Sequence, residues 1–545
     1  MTGNLPEEAA EFASEPAAPT GRTLTMHVAM ALRSRAELDR LLEDQQNPAS
    51  PDYHRWLTSA EFSARFGPGD SDIAKVTDWL KRQGFKVTSV NARARDVAFT
   101  GTVAKAQNAF RVRIAATADG ALYASLNEPS VPAALAGLID SIHGLDNLLR
   151  SAPARRLIST DAGSSSPDAH LNGFGNAFGP GDMATFYDST PLLNQQIDGH
   201  GTCIAIAEDS NLDRSGADAF NAHFGLPAFN AGNFQTVLAD GTDPGVTSDG
   251  IEAMVDVNYS HAAAPGAKIV VYVGDPNNSN SGSGLLDAIL LAVNDDECGA
   301  ISISFSFCGA PHKFYKQLGS MFAQGAALGQ SIFVSTGDEG AAGLVLSKAQ
   351  HACVTARKAT VNELAGAPQV TAIGGTQFTP NFDGNGNDVG SVAESAWNDA
   401  SGATGGGRSK VFKKPQFQAG LFPKDKKRDL PDISLGASPL SPGFFFGDPA
   451  TEFQLVGGTS IGAPYWAGIS QLIAQSTGDR VGNINTRLYQ LGAMANPGVT
   501  GIRDVTSGSN SFGNVAGFNA GPGFDKATGW GTVDIGLFVP AYIGR

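Results

Sequence analysis

The sequence predicts an α/β protein: a doubly wound, mainly parallel sheet preceded by a smaller α+β unit. Three observations carry this reading. Short apolar runs recur at CIAIAED (203–209), AKIVVYV (267–273), AISISFSF (300–307), SIFVSTGD (331–338) and QVTAIGG (369–375), each with the character of a buried parallel strand. Helical stretches such as GLLDAILLAVN lie between them, the alternation of a doubly wound sheet. Upstream, strands and amphipathic helices alternate in a stretch of about 150 residues, the size of one domain.

The elements follow in order. Residues 1–22 are rich in Ala, Glu and Pro and are expected to be flexible. TLTMHVAMAL (23–32) alternates as a strand, and SRAELDRLLEDQ follows as a helix with Leu38, Leu41 and Leu42 on one stripe. Thr58 and Glu61 form a capping-box pattern at the next helix start. Ile73, Val76, Trp79 and Leu80 mark another amphipathic helix, closed by Gly84 before a strand in FKVTSV. Val103, Ala106 and Phe110 mark a helix ahead of a strand in RVRIAA. The stretch SAPARRLISTDAGSSSPDAH (151–170) has a basic pair, Arg155–Arg156, and no hydrophobic period. An exposed linker open to proteolysis is expected over 151–175, between a first domain at 23–150 and a second at 176–545. In the second, the polar, glycine-rich strand ends are where such sheets bind ligands.

Composition narrows the function. The 545 residues carry 38 Lys+Arg against 53 Asp+Glu, a net charge of −15, which argues against a nucleic-acid or anionic-membrane partner. No run of 18 apolar residues occurs, so no membrane span is expected. The N-terminus, MTGNLPEEAAEFASEP, has neither a basic nor an apolar signal region and does not read as a signal peptide. Cys203, Cys298, Cys308 and Cys353 form no CxxC pair, which disfavours zinc; an even count permits two disulfides.

The chemistry concentrates in three segments. In GGTSIGAPYWAG (457–468), Ser460 stands between a glycine-rich turn and an apolar helix. It is either a helix cap or a nucleophile assisted by the helix dipole. A nucleophilic serine needs a base. His200 in GHGTCIAI precedes a strand rather than opening a helix, and no Asp-Thr-Gly or Asp-Ser-Gly stands upstream, so it reads as a turn residue. In SDGIEAMVDVNYSHAAAPGAKI (248–269), Glu252 and Asp256 are four apart and share a helix face. Their apolar neighbours suggest burial, where two close carboxylates are costly unless they share a proton. Third, Asp338 in STGDEGAAG (335–343) follows an apolar strand. It is a turn aspartate or, if protonated, an oxyanion-hole donor.

These segments resemble the sedolisin family of serine-carboxyl peptidases, in particular kumamolisin-like proenzymes. Glu252-x-x-x-Asp256, the segment 335–340 and Gly458-Thr459-Ser460 occur in the family's order, with further matches at VTAIGGT (370–376), GGGRSKVFKKPQFQ (405–418) and RDLPDIS (428–434). YHRWLTSAEFSARFGP (53–68) and VTDWLKRQGF (76–85) resemble the family's activation prodomain. The resemblance spans roughly residues 25–540. It implies a subtilisin-like catalytic domain at 176–545, an inhibitory activation prodomain at 23–150 and a processing site in the linker.

The resemblance assigns roles. Ser460 is implied as nucleophile and Glu252 as general base and then acid. Asp256 would orient Glu252 and share its proton, Asp338 would donate to the oxyanion, and Glu208 would act as a supporting acid. A carboxylate base and a protonated Asp338 imply activity at acid pH, about 3–5. One structural Ca²⁺ is implied at Asp504, the carbonyls of Val505, Gly521 and Gly523, and Asp525; hard oxygen ligands from loops suit that ion. Cys308 and Cys353 fall where relatives carry a disulfide, leaving Cys203 and Cys298 as expected buried thiols. Two positions depart from the family: Phe305-Ser306 replaces Trp-Gly or Tyr-Gly in the segment like the substrate-binding wall, and Glu339 replaces a serine. The expectation is a secreted, monomeric, self-processing endopeptidase acting on proteins or peptides. An ordinary Ser-His-Asp enzyme using His200 and a silent peptide-binding scaffold are its rivals.

Overall fold

The computed structural model describes residues 1–158, 177–276, 283–384, 386–422, 424–448 and 452–544. The N-terminal part contains β1 (Thr23–Met30), α1 (Arg35–Gln45), α2 (Ser59–Phe66), α3 (Asp70–Arg82), β2 (Lys86–Asn91), β3 (Asp96–Thr102), α4 (Val103–Phe110) and β4 (Ile139–His143). Its antiparallel sheet has the order β2-β3-β1-β4. Leu24, Met26 and Val28 alternate along β1 and pack with Val76, Leu80, Phe99 and Phe110 in a cluster of their own. The Thr58–Glu61 capping box forms as the spacing predicts.

One expectation for this part is corrected. Residues 1–22 are held rather than loose: Glu7–Phe12 forms a 3₁₀ turn, and Phe12 is buried with Leu148, Cys308 and Leu346. The Met1 ammonium also donates to the Pro129 carbonyl. Strand β3, beside β1, is hidden in DVAFTGT because Asp96 and Gly101, both poor strand formers, interrupt its apolar pattern. Gly101 is required there, because a Cβ would lie 2.3 Å from the Phe85 ring.

After β4 come β5 (Arg150–Pro153), β6 (Arg156–Ile158), β7 (Cys203–Glu208), β8 (Phe234–Leu238), α5 (Gly250–Ala263), β9 (Lys268–Val273), α6 (Gly284–Asp295), β10 (Ala300–Ile303) and β11 (Phe305–Cys308). Then follow α7 (His312–Ala327), β12 (Ser331–Ser335), β13 (Val370–Gln377), β14 (Ser395–Ala396), β15 (Ile433–Gly436), β16 (Gly443–Asp448), β17 (Glu452–Gly457) and α8 (Gly462–Thr477). The large sheet runs β8-β9-β7-β10-β12-β13-β14, with β15 also paired to β13. Every pair in it is parallel except β13–β14. Side chains alternate between two cores. Ile204 and Ile206 of β7 pack with Val257 of α5 and Trp466 of α8, while Ala205 and Ala207 face Leu285 of α6 and Phe322 of α7. The doubly wound fold is therefore present.

α5 and α8 approach closely: a Cβ on Gly468 would lie 2.4 Å from the Ala263 Cβ. α7 carries the N-terminal part. Leu38, Leu41, Phe62 and Phe66 pack on Ala323, Ala327 and Leu328, and Asp140 meets Lys313 at 2.7 Å.

The expected linker at 151–175 is corrected over its first eight residues. β5 pairs antiparallel with β11, and β6 with β17, so the chain crosses the large unit as an added strand. The processing-site expectation over the remainder lies outside the described residues. Cys308 and Cys353 are bonded, as the resemblance implied. Cys203 and Cys298 are bonded too, not free thiols, because Cys203 opens β7 and Cys298 lies just ahead of the adjacent parallel strand β10.

Candidate active site

Ser460 lies in the turn between β17 and α8, fully buried. Gly458, at φ 121°, lets the chain leave β17 and enter the helix. The Ser460 N–H donates to the carbonyl of Ala154, in the crossing segment, at 3.1 Å. Ala154 in turn donates to the Ser304 carbonyl at 2.9 Å.

Glu252 and Asp256 stand on one face of α5, both fully buried. Asp256 accepts hydrogen bonds from the Ser304 hydroxyl at 2.6 Å and the Ser302 hydroxyl at 3.1 Å. Burial pushes its pKa up to about 7, against the pull of these serines. The Glu252 pKa is raised well above the ordinary range, chiefly by burial, with the Asp256 charge adding to it. Arg155 holds it down, with a guanidinium nitrogen 3.3 Å from Oε2. The Ser460 hydroxyl makes no hydrogen bond of normal geometry, yet lies close enough to Glu252 to lower its pKa. No hydrogen bond joins Glu252 to Asp256 among the described residues; Asp256 is tied to the two serines instead. Glu208, at the C-terminal end of β7, adds a third buried carboxyl. Neither of its oxygens has a partner, and burial with the Asp256 and Glu252 charges raises its pKa strongly.

Asp338 follows β12. Its Oδ1 accepts from the Thr459 N–H at 2.9 Å and the Thr459 hydroxyl at 3.0 Å. Its Oδ2 is buried without a partner. Burial raises the pKa to about 6, although Arg156 opposes the rise. A Cβ on Gly458 would lie 2.4 Å from the Ala154 carbonyl oxygen and 2.6 Å from Asp338 Oδ2. Both atoms therefore crowd the bare Cα of one glycine. The four residues singled out in sequence thus meet at the C-terminal ends of parallel strands. The Ser460 N–H meets the Ala154 carbonyl, and the Ser460 hydroxyl, the Glu252–Asp256 pair and Asp338 are buried in the same region, the kinds of group acyl transfer uses.

His200 is elsewhere. It is exposed in the turn before β7, while Glu208, at the far end of that strand, is the residue beside the carboxyl cluster. The serines on Asp256 were missed in the sequence, although the alternating hydroxyls of AISISFSF were the available signal. Arg155 and Arg156 were noticed only as a basic pair.

The C-terminal loops offer oxygen donors of the kind a hard cation takes. The loop 521–525 folds onto Asp504, whose carboxylate accepts from the Gly523 N–H at 2.7 Å, while Asp525 accepts from the Gly521 N–H at 2.9 Å. Both carboxyls are pushed up by burial, which a bound cation would offset. Among the described residues, no hydrogen bond reaches the carbonyls of Val505, Gly521 or Gly523, leaving them free to ligate. No group of three or more His, Cys, Asp or Glu side chains that could hold a metal occurs among the described residues, so any ion here would depend on those carbonyls.

Residues 10–148 match the family model "Pro-kumamolisin, activation domain". The chain is 28% identical to kumamolisin of Bacillus sp. (strain MN-32), covering 90% of this chain and 86% of that protein. It is 27% identical to sedolisin of Pseudomonas sp. (strain 101), covering 96% and 87%. A solved structure of Pseudomonas sedolisin, a serine-carboxyl proteinase complexed with two molecules of pseudo-iodotyrostatin, matches with a TM-score of 0.56 at 27% identity, over 68% of this chain and 100% of that one.

Proposed function

Because the chain belongs to the sedolisin family of serine peptidases and carries its activation domain, we propose that it is a secreted, acid-acting serine-carboxyl endopeptidase made as a self-processing zymogen. The observation that carries this reading is the Ser460 N–H on the Ala154 carbonyl, beside the unpartnered oxygen of Asp338. In this reading Ser460 attacks a peptide carbonyl while Glu252 takes its proton and returns it to the departing amine. Asp256, fixed by Ser302 and Ser304, poises Glu252. Protonated Asp338 and the Ser460 N–H stabilise the oxyanion. Asp338 donates only while protonated, and its pKa of about 6 supports action on the acid side of neutrality.

Residues 23–150 act as the inhibitory prodomain, and 176–545 as the catalytic domain. Asp140 of the prodomain meets Lys313, and Glu15 and Glu7 of the segment before it meet Lys348 and Lys410. Two disulfides are in keeping with an oxidising compartment. Asp504, Asp525 and the carbonyls of Val505, Gly521 and Gly523 would hold one Ca²⁺, whose role is to tie the C-terminal loops together. The test is maturation. Purified proenzyme brought to pH 4 should shorten, and the Ser460→Ala protein should remain full length. Equal shortening of both would refute self-processing.

A further inference from the structure

The segment that crosses the site is seated as a substrate would be. β5 adds to the edge of β11 before the Ala154 carbonyl, and β6 adds to β17 after it, so the peptide is held by backbone pairing on both sides. The two residues after Ala154 are both arginines, and each has acidic partners. Arg155 donates to the Ser248 carbonyl at 2.7 Å and lies 3.3 Å from Asp249 and from Glu252. Arg156 meets the Glu339 carboxylate at 2.6 Å and also donates to the carbonyls of Ser401 at 3.0 Å and Asp338 at 3.2 Å. Glu339 is itself mostly buried, and it stands where the resemblance led one to expect a serine.

From this we infer that the leaving-group side of the cleft is built to take two consecutive basic residues, with Asp249 and Glu339 as the residues that select them, and that the first bond cleaved in maturation is Ala154–Arg155. The inference rests on the peptidase reading above. The step balances as a hydrolysis. Ser460 Oγ bonds to the Ala154 carbonyl carbon, and the Ala154–Arg155 C–N bond breaks. The Arg155 nitrogen leaves as an amine with the proton relayed by Glu252. A water then releases the Ala154 carboxyl and restores the hydroxyl. Arg155 lies against the base in the uncut chain, so the same contacts that recognise the segment also fill the site until it is cut.

The test has two measurements on the full-length protein. The first is time-resolved intact mass after acidification: the earliest Ser460-dependent fragment should begin at Arg155. The second compares fluorogenic peptides carrying Ala-Arg-Arg or Ala-Ala-Ala across the bond. The mature enzyme should favour the arginine peptide in kcat/KM by about tenfold or more, each tenfold corresponding to about 1.4 kcal/mol. Glu339→Gln and Asp249→Asn should each reduce that preference several-fold, chiefly through KM. An earliest fragment beginning elsewhere, or equal rates on the two peptides, overturns the inference. Ser460-dependent digestion of casein in that case leaves the peptidase reading standing; loss of casein digestion as well would defeat both.

Discussion

Asp338 accepts both hydrogen bonds from Thr459 through one carboxyl oxygen and leaves the other buried and unpartnered. A buried polar atom without a partner is costly, and it is tolerated here at the point where the Ala154 carbonyl arrives. Protonated, that oxygen is a donor; ionised, it repels an oxyanion.

This yields the first prediction. Asn at position 338 can accept from Thr459 with its oxygen and donate with its amide at every pH. In Asp338→Asn the alkaline fall of kcat, expected in the wild type near pH 6, should move to higher pH. Asp338→Ala should lose about 10²–10³-fold in kcat. Stopped assays from pH 3 to 8 on the matured enzymes check both.

Gly458 supplies a second. Alanine there would place its Cβ within 2.6 Å of both the Ala154 oxygen and Asp338 Oδ2, at a φ of 121°. Gly458→Ala should abolish maturation and peptide hydrolysis while circular dichroism stays native.

The buried carboxyls also set a stability profile. Asp256 and Asp338 have folded pKa values of about 7 and about 6, above the ordinary 3.8. The folded chain therefore keeps protons that the unfolded chain loses, and stability should fall as pH rises from about 4 through about 7. The loss is on the order of 3 kcal/mol for a group shifted by two units. Urea unfolding of the Ser460→Ala proenzyme at pH 5 and pH 8 should give the higher midpoint at pH 5, and adding Asp338→Asn should narrow the difference while Asp256 maintains the rest.

Much of this was legible in the sequence. The five apolar runs became β7, β9, β10, β12 and β13, because a parallel strand buried on both faces must be apolar throughout. Ser460, Glu252, Asp256 and Asp338 could be singled out because each is a chemically expensive residue set among apolar or glycine-rich neighbours. The rest was hidden for physical reasons. Arg155 and Arg156 are ordinary linker residues until Asp249, Glu252 and Glu339, distant in sequence, surround them. The anchoring of Phe12 and the Cys203–Cys298 bond likewise depend on partners that local pattern cannot reveal.

The C-terminal loops give a fourth prediction. Removing calcium with EGTA, or replacing Asp504 by Ala, should lower the Tm of the mature enzyme by several degrees. Added Ca²⁺ should restore it in the chelated wild type but not in the variant. An unchanged Tm in both would dismiss the ion.

The most direct test is digestion of denatured casein across pH 2.5–8 by the wild type, Glu252→Ala and His200→Ala proteins. Expected is an acid-only profile that collapses in Glu252→Ala and persists in His200→Ala. A neutral optimum that survives Glu252→Ala and disappears in His200→Ala would contradict the carboxyl mechanism.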